Sequence, residues 1–259
     1  MSEYFSQLDM AQCCGDTTGA AWRGHLECLK RLHAAGHAWS GIDARVLAET
    51  GYAECLKFAH RKGCPLHRDV TLCLAKRGDL KLLRYVVQRR CPWHSETQNA
   101  GADAGNIRIV VFAHSNGCPW HEDTIERAAA AGHLEVLKYA RNNDASWSHW
   151  ATLAAAQHGH LGCLQWLVEG GCSWHAHTTL LVAKGGHLAC LQYAVRMGCS
   201  WHADTTRAAA AGGHVDCLRF ADDKGCVWHP ETDTAAAEGG HTECLRYCED
   251  RSDIWDSDA

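Results

Sequence analysis

A glycine returns every 27 residues along this chain, at Gly24, Gly51, Gly78, Gly105, Gly132, Gly159, Gly186, Gly213 and Gly240. No insertion or deletion breaks that register. A fixed period in this range predicts a solenoid, in which each unit buries its apolar face only against its neighbours. A length of 259 residues is therefore read as a single repeat domain over 1–259 rather than as one large globular core. The repeats span about 12–256, with a short N-terminal lead and an acidic C-terminal tail.

Each unit predicts two helices. Eight residues before the glycine stand Asp16, Asp43, Thr97, Thr124, Thr178, Thr205 and Thr232, all residue types that accept an orphan N–H as an N-cap. Three residues before it stands alanine in every unit, from Ala21 to Ala237. A slot that admits only a methyl group predicts close approach between helices. The glycine itself suits the left-handed residue that ends a helix. Histidine follows it in six units, with Tyr52, Asp79 and Asn106 in the others, and this slot is expected to cap the second helix. That helix is apolar at Leu134, Val136, Leu137, Tyr139 and Ala140 and their equivalents, a wide face that suits cover from both sides. Gly36, Gly63, Gly117, Gly171, Gly198 and Gly225 are expected to close it. A connector of the form Cys-Pro/Ser-Trp-His then leads to the next unit.

The run Ala-Ala-x-x-Gly-His-Leu-x-x-Leu, Ala128 to Leu137, followed downstream by a helix-closing glycine, resembles the helical half of an ankyrin repeat. The unit is shorter than the family's usual length of about 33 residues, and the missing residues fall where that family places its hairpin finger. The Thr-Pro-Leu-His tetrapeptide is replaced by Thr124-Ile-Glu-Arg127. The Gly117-Cys-Pro-Trp120 connector is similar to shortened ankyrin-like repeats of large DNA viruses and some protists. The resemblance implies an all-α, ankyrin-like helical-repeat solenoid of about nine helix-turn-helix units. It also implies a non-catalytic protein–protein interaction scaffold that binds a protein partner on its concave face. The two residues before each glycine vary most between units and match that face. Partner contacts are therefore expected from Trp22, Arg23, Glu49, Lys76, Arg77, Asp103, Gln157, His158, Lys184 and Glu238.

Other function classes find less support. The segment Met1–Asp9 lacks a basic and an apolar region, so no signal peptide is expected. The apolar runs are far shorter than the ~18 residues of a membrane span. Sixteen cysteines raise a disulfide framework. Equivalent slots in stacked units, however, lie ~8–10 Å apart, beyond the ~7 Å reach of a disulfide. Reduced thiols and a cytoplasmic or nuclear location are expected, as is a monomer.

The tryptophan column of Trp39, Trp93, Trp120, Trp147, Trp174, Trp201, Trp228 and Trp255 offers a stacking ladder for single-stranded nucleic acid. Leu66 in the same slot and a net charge of −5 favour packing instead. The connector Cys-x-x-His and the helical His-x-x-Cys pairs raise a zinc-binding, thiol-rich alternative. Cys163 and Cys172 stand at opposite ends of one helix, and Ala145 with Ser148 interrupts the column. No metal and no cofactor are therefore expected. No phosphate loop or recurring nucleophile–base pair points to an enzyme. Charge is uneven: Lys57–Arg90 holds ten basic and two acidic residues, and the chain from Asp216 onward twelve acidic and four basic. Such patches orient partners of complementary charge.

Overall fold

The structure, a computed structural model, describes residues 14–257, and of 252–257 the backbone alone. All regular structure among the described residues is helical. The chain divides into two compact units between His121 and Glu122. The first unit holds α1 (Thr17–Arg23), α2 (Leu26–Ala34), α3 (Gly41–Thr50), α4 (Ala53–Arg61), α5 (Asp69–Arg77), α6 (Leu80–Val87), α7 (Thr97–Asp103) and α8 (Ile107–Ser115). The second holds α9 (Thr124–Ala130), α10 (Leu134–Asn142), α11 (His149–Gln157), α12 (Leu161–Glu169) and α13 (Thr178–Lys184), followed by α14 (Leu188–Arg196), α15 (Thr205–Ala211), α16 (Val215–Asp223), α17 (Thr232–Glu238) and α18 (Thr242–Ser257).

Odd-numbered helices are the first of each pair and stack on one another, α1 to α7 in the first unit and α9 to α17 in the second. They pack more closely than the even-numbered helices do. The alanine slot is the reason. Ala21, Ala48, Ala75 and Ala102 are fully buried in one unit, as are Ala129, Ala156, Ala183 and Ala210 in the other. Ala237 on α17, with no later first helix among the described residues, is exposed. Leu29, Leu56 and Leu83, and in the second unit Leu137, Leu164, Leu191 and Leu218, fill the layer between first and second helices.

The recurring glycines take the left-handed conformation, with φ from 62° at Gly105 to 83° at Gly51. At Gly132 a side chain is excluded twice over, since an added Cβ would lie 2.6 Å from Nδ1 of His160. The helix-closing glycines are also left-handed, as at Gly117 with φ 80°. Arg90 and Asp144 occupy that slot in two pairs and hold φ of 60° and 65° without glycine's freedom.

Several capping expectations are corrected. Asp16 caps α1, accepting from the Gly19 N–H at 2.6 Å. Asp43 instead sits inside α3 as the acidic half of a capping box begun by Ser40. Thr97, Thr124, Thr178, Thr205 and Thr232 are the first helical residues, not caps. Asp79 and Asn106 do cap their second helices, but the histidines do not. Their rings reach back one pair: Nε2 of His160 donates to the Ala130 carbonyl at 3.0 Å, and that of His241 to the Ala211 carbonyl at 3.1 Å.

The first-residue threonines belong to a buried relay. Thr205 Oγ1 donates to the His202 carbonyl of its own connector at 2.8 Å, so its lone pairs face Thr179 Oγ1 at 3.2 Å. Thr179 Oγ1 accepts the His202 N–H at 2.9 Å, and its one hydrogen is left for Thr205 Oγ1 or the Ser200 carbonyl at 3.4 Å. Thr206, Thr232 and His229 repeat the arrangement, with 3.1 Å between the hydroxyls. In the first unit Thr71 and Thr97 stand 3.3 Å apart, and Thr71 accepts the His94 N–H at 3.1 Å.

At the last pair Ser252 replaces the closing glycine and α18 runs on to Ser257, which carries Trp255 into a helix rather than a connector. Arg251, on that added length, donates through Nε to both oxygens of Asp222 at 2.9 and 3.1 Å and lies 4.2 Å from the Trp228 ring centroid.

Two outcomes are expected. Thr206→Val should cost about 1–3 kcal/mol in urea unfolding, because the His229 N–H loses its buried acceptor. A loss no larger than that of the exposed Thr234→Val would sink the relay. Arg90→Gly should gain about 1 kcal/mol by removing a left-handed non-glycine residue; an unchanged or lower melting temperature would contradict that.

Candidate functional site: exposed helix ends and connectors

All ten expected partner-contact residues are exposed. They lie at or just past the C-terminal ends of the first helices. Six belong to the first unit: Trp22, Arg23, Glu49, Lys76, Arg77 and Asp103. Four belong to the second: Gln157, His158, Lys184 and Glu238. In the first unit the structure joins several of them. Arg77 Nη1 donates to the Glu49 carbonyl at 2.9 Å, and Arg45 pairs with the Glu49 carboxylate at 3.8 Å. Lys76, Leu72, Cys73 and Asp69 complete a shallow depression around them. Trp22 is 52% exposed, and Tyr52, whose ring covers Gly24, is 40% exposed. In the second unit His158 donates to the Ala154 carbonyl at 3.0 Å, with its ring nearly parallel to that of His160.

The connectors have a different character. Their cysteines are buried, and each thiol hydrogen has a backbone carbonyl to meet: Cys91 that of His67 at 3.5 Å, Cys172 that of Ser148 at 3.2 Å. Burial pushes the Cys64, Cys91 and Cys118 thiols up to about 12, so they are poor nucleophiles at neutral pH. The connector histidines are equally occupied. Nδ1 of His94, His175, His202 and His229 accepts an N–H two residues on, at 3.0 to 3.1 Å. A neutral ring then carries its proton on Nε2, which in His229 faces Asp204 at 3.2 Å. Nε2 of His121 faces Glu96 at 3.1 Å, and that of His94 faces Asp69 at 3.8 Å.

These carboxylates stand nine residues before the glycine, and sequence reasoning missed their role. The recurrence of Asp69, Glu96, Asp204 and Glu231 in one slot was the available signal. Where Trp150 and His177 take that slot, aromatic contacts replace the ion pairs: Trp150 lies 4.4 Å from His175 and His177 lies 5.0 Å from His202. Burial, then neighbouring His149 and His177, push the His175 pKa down. Among the described residues no connector cysteine and histidine meet a third ligand type within 4.8 Å.

The described tryptophans of the column are half-buried. Trp39 and Trp93 donate their indole N–H to the Lys62 and Asn116 carbonyls at 2.9 and 3.0 Å, where the next second helix ends. Their rings pack on Phe58 and Phe112, and Trp147 packs on Trp166 at 5.7 Å. One edge and one face of these rings are thus engaged by protein, as expected for packing. Leu66 fills the same slot without a hydrogen bond to make.

Paired helices, left-handed glycines and alanine-tight stacking are the features the sequence likeness predicted. The family model for ankyrin repeats (many copies) matches residues 125–168. Over that segment the chain is similar to ankyrin repeats. A search of curated proteins found no match. Among solved structures, the ankyrin repeat domain of human ASB11 is similar at 15% identity over 71% of this chain and 84% of that one, with a TM-score of 0.39. Ankyrin repeats generally mediate protein–protein interaction, and the family is typically non-catalytic. No helix among the described residues is long and apolar enough to cross a membrane.

The buried thiols fix a pH dependence. Their folded pKa lies above the ordinary value near 9, so the unfolded chain releases those protons first as pH rises. The stability they contribute is complete below pH about 9 and is lost towards pH about 12. Urea midpoints should fall through that range, in step with thiolate absorbance; a midpoint level from pH 8 to 11 would show that the connector thiols ionise without unfolding.

Proposed function

We propose that this protein is a non-catalytic scaffold that holds a protein partner against the exposed ends of its first helices, the face that the ankyrin likeness makes concave. The observation that carries the reading is a division of labour within the 27-residue unit. The alanine, glycine, threonine, cysteine, histidine and tryptophan slots are taken up by stacking. The two residues before each glycine differ from unit to unit and are exposed or half-buried. A surface whose backbone is fixed by packing loses little freedom on binding, so affinity can rest on few side chains. In the first unit Arg45, Lys76 and Arg77 outnumber Glu49 and Asp69 around the depression, which suits an acidic segment of a partner. Family and geometry both support this reading: ankyrin repeats generally bind proteins, and the varied slots project from helix ends held by backbone hydrogen bonds.

Affinity capture from native cell extract tests it. Three baits are compared: the natural chain, a variant with Trp22, Arg23, Lys76, Arg77, Gln157 and Lys184 replaced by alanine, and a variant altered at Lys57, Lys138 and Arg219 on the second helices. A protein held by the first and third baits and lost by the second is the expected result. Retention by the helix-end variant with loss from the second-helix variant would move the site and overturn the assignment.

A further inference from the structure

The His-x-x-Cys pair opens the second helix at His25/Cys28, His160/Cys163, His187/Cys190, His214/Cys217 and His241/Cys244. Among the described residues, only at the first of these does a third ligand join it. Ten residues before the glycine the later units carry Gly41, Arg68, Ser95, Glu122, His149, Ala176, Ala203 and Pro230; the first carries Cys14. Cys14 Sγ lies 3.5 Å from Nδ1 of His25, and one ligand atom from each of Cys14, His25 and Cys28 falls within 4.8 Å of the others. Both cysteines are buried and the histidine is exposed. We propose that Cys14, His25 and Cys28 form a binding site for a thiophilic divalent cation, Zn²⁺ above all.

Geometry and donor chemistry agree. With bonds of ~2.3 Å to sulfur and ~2.0–2.1 Å to imidazole nitrogen, a tetrahedral zinc sets its sulfur and nitrogen ligands ~3.6 Å apart. The Cys14–His25 separation of 3.5 Å is already that edge. Two thiolates and one imidazole form a borderline-soft donor set that selects zinc over magnesium or calcium, and they supply three of the four positions of a tetrahedral site. His25 sits at the N-cap of α2 and Cys28 in its first turn. Arg23 Nη1 donates to Cys14 Sγ at 3.7 Å. On binding, the two thiols release their protons to solvent and the sulfur lone pairs take up the cation, so affinity rises with pH. The contrast with the later pairs is chemical. His160 and His241 spend Nε2 on a carbonyl of the preceding pair, whereas His25 turns Nδ1 towards a sulfur.

Cobalt reports on such a site directly. The full chain, reduced and freed of metal, is titrated with Co²⁺ and then with Zn²⁺. One equivalent of Co²⁺ per chain should produce thiolate-to-cobalt charge-transfer absorption, and Zn²⁺ should abolish it. Zn²⁺ should also raise the melting temperature of the natural chain. Cys14→Ser and Cys28→Ala should each weaken binding by more than the ~10–100-fold that loss of a supporting partner costs. Cys55→Ala, in the slot of Cys28 one unit later, controls for the packing change and should bind as the natural chain does. Cys14 lies outside the helices, so its variant reports on coordination even where Cys28→Ala unfolds the first pair. Absence of the band at one equivalent, its survival in Cys14→Ser, or its equal loss in Cys55→Ala would each overturn the assignment.

Discussion

A pair of buried hydroxyls ties one helix pair to the next at Thr71/Thr97, Thr179/Thr205 and Thr206/Thr232. Each connector must reverse the chain in a few residues, and its peptide groups lie partly out of water without a helix or sheet to satisfy them. Thr179 and Thr205, or Thr206 and Thr232, meet that need from both sides. One hydroxyl takes the N–H of the connector histidine and the other gives to its carbonyl, so one residue's two polar groups are held by threonines of successive helix pairs. A buried hydroxyl without its partner is costly, and a shift of one residue would strand several at once. At those junctions the 27-residue register is held by the threonine hydrogen bonds as well as by the alanine packing.

Much of the fold was legible because period and glycine placement are backbone properties. Gly132 and its equivalents end helices wherever the chain goes left-handed, and Ala129 and its equivalents mark the closest helix approach. Side-chain roles were harder. Threonine at a helix start reads equally as an acceptor for the first N–H groups or as a donor to the preceding carbonyl, and only the relay decides for the second. Histidine after the glycine occupies the slot where Asp79 and Asn106 cap, yet imidazole is long enough to reach the pair before. The candidate binding residues were legible as exposed positions. Their grouping was not, since contacts such as Arg77 with the Glu49 carbonyl depend on how far one first helix is displaced from the next. Cys14 escaped because it lies outside the repeating pattern and gains meaning only from its distance to His25.

The cysteines illustrate how one side chain serves two chemistries. In the connectors burial holds the thiol protonated, and the residue acts as a small, weakly donating filler between peptide groups. At Cys14 and Cys28 the neighbours are an imidazole and a guanidinium, and the sulfurs stand within reach of a ring nitrogen instead of a peptide group alone. Repetition supplies the first environment many times over; a single departure from the repeat supplies the second.

The threonine relay also governs how such a chain can change in length. Among the described residues the hydroxyl pair stands at Thr71/Thr97, Thr179/Thr205 and Thr206/Thr232, while Ala44/Val70 and Ile125/Ala151 hold the same slots with no hydroxyl. Duplicating or deleting one whole repeat keeps these slots in phase, so two threonines brought together at a new junction can form the same bonds. A duplication out of phase by even one codon would bring unlike groups together at both of its ends. Changes in length by whole units therefore preserve the pairing, and fragments break it.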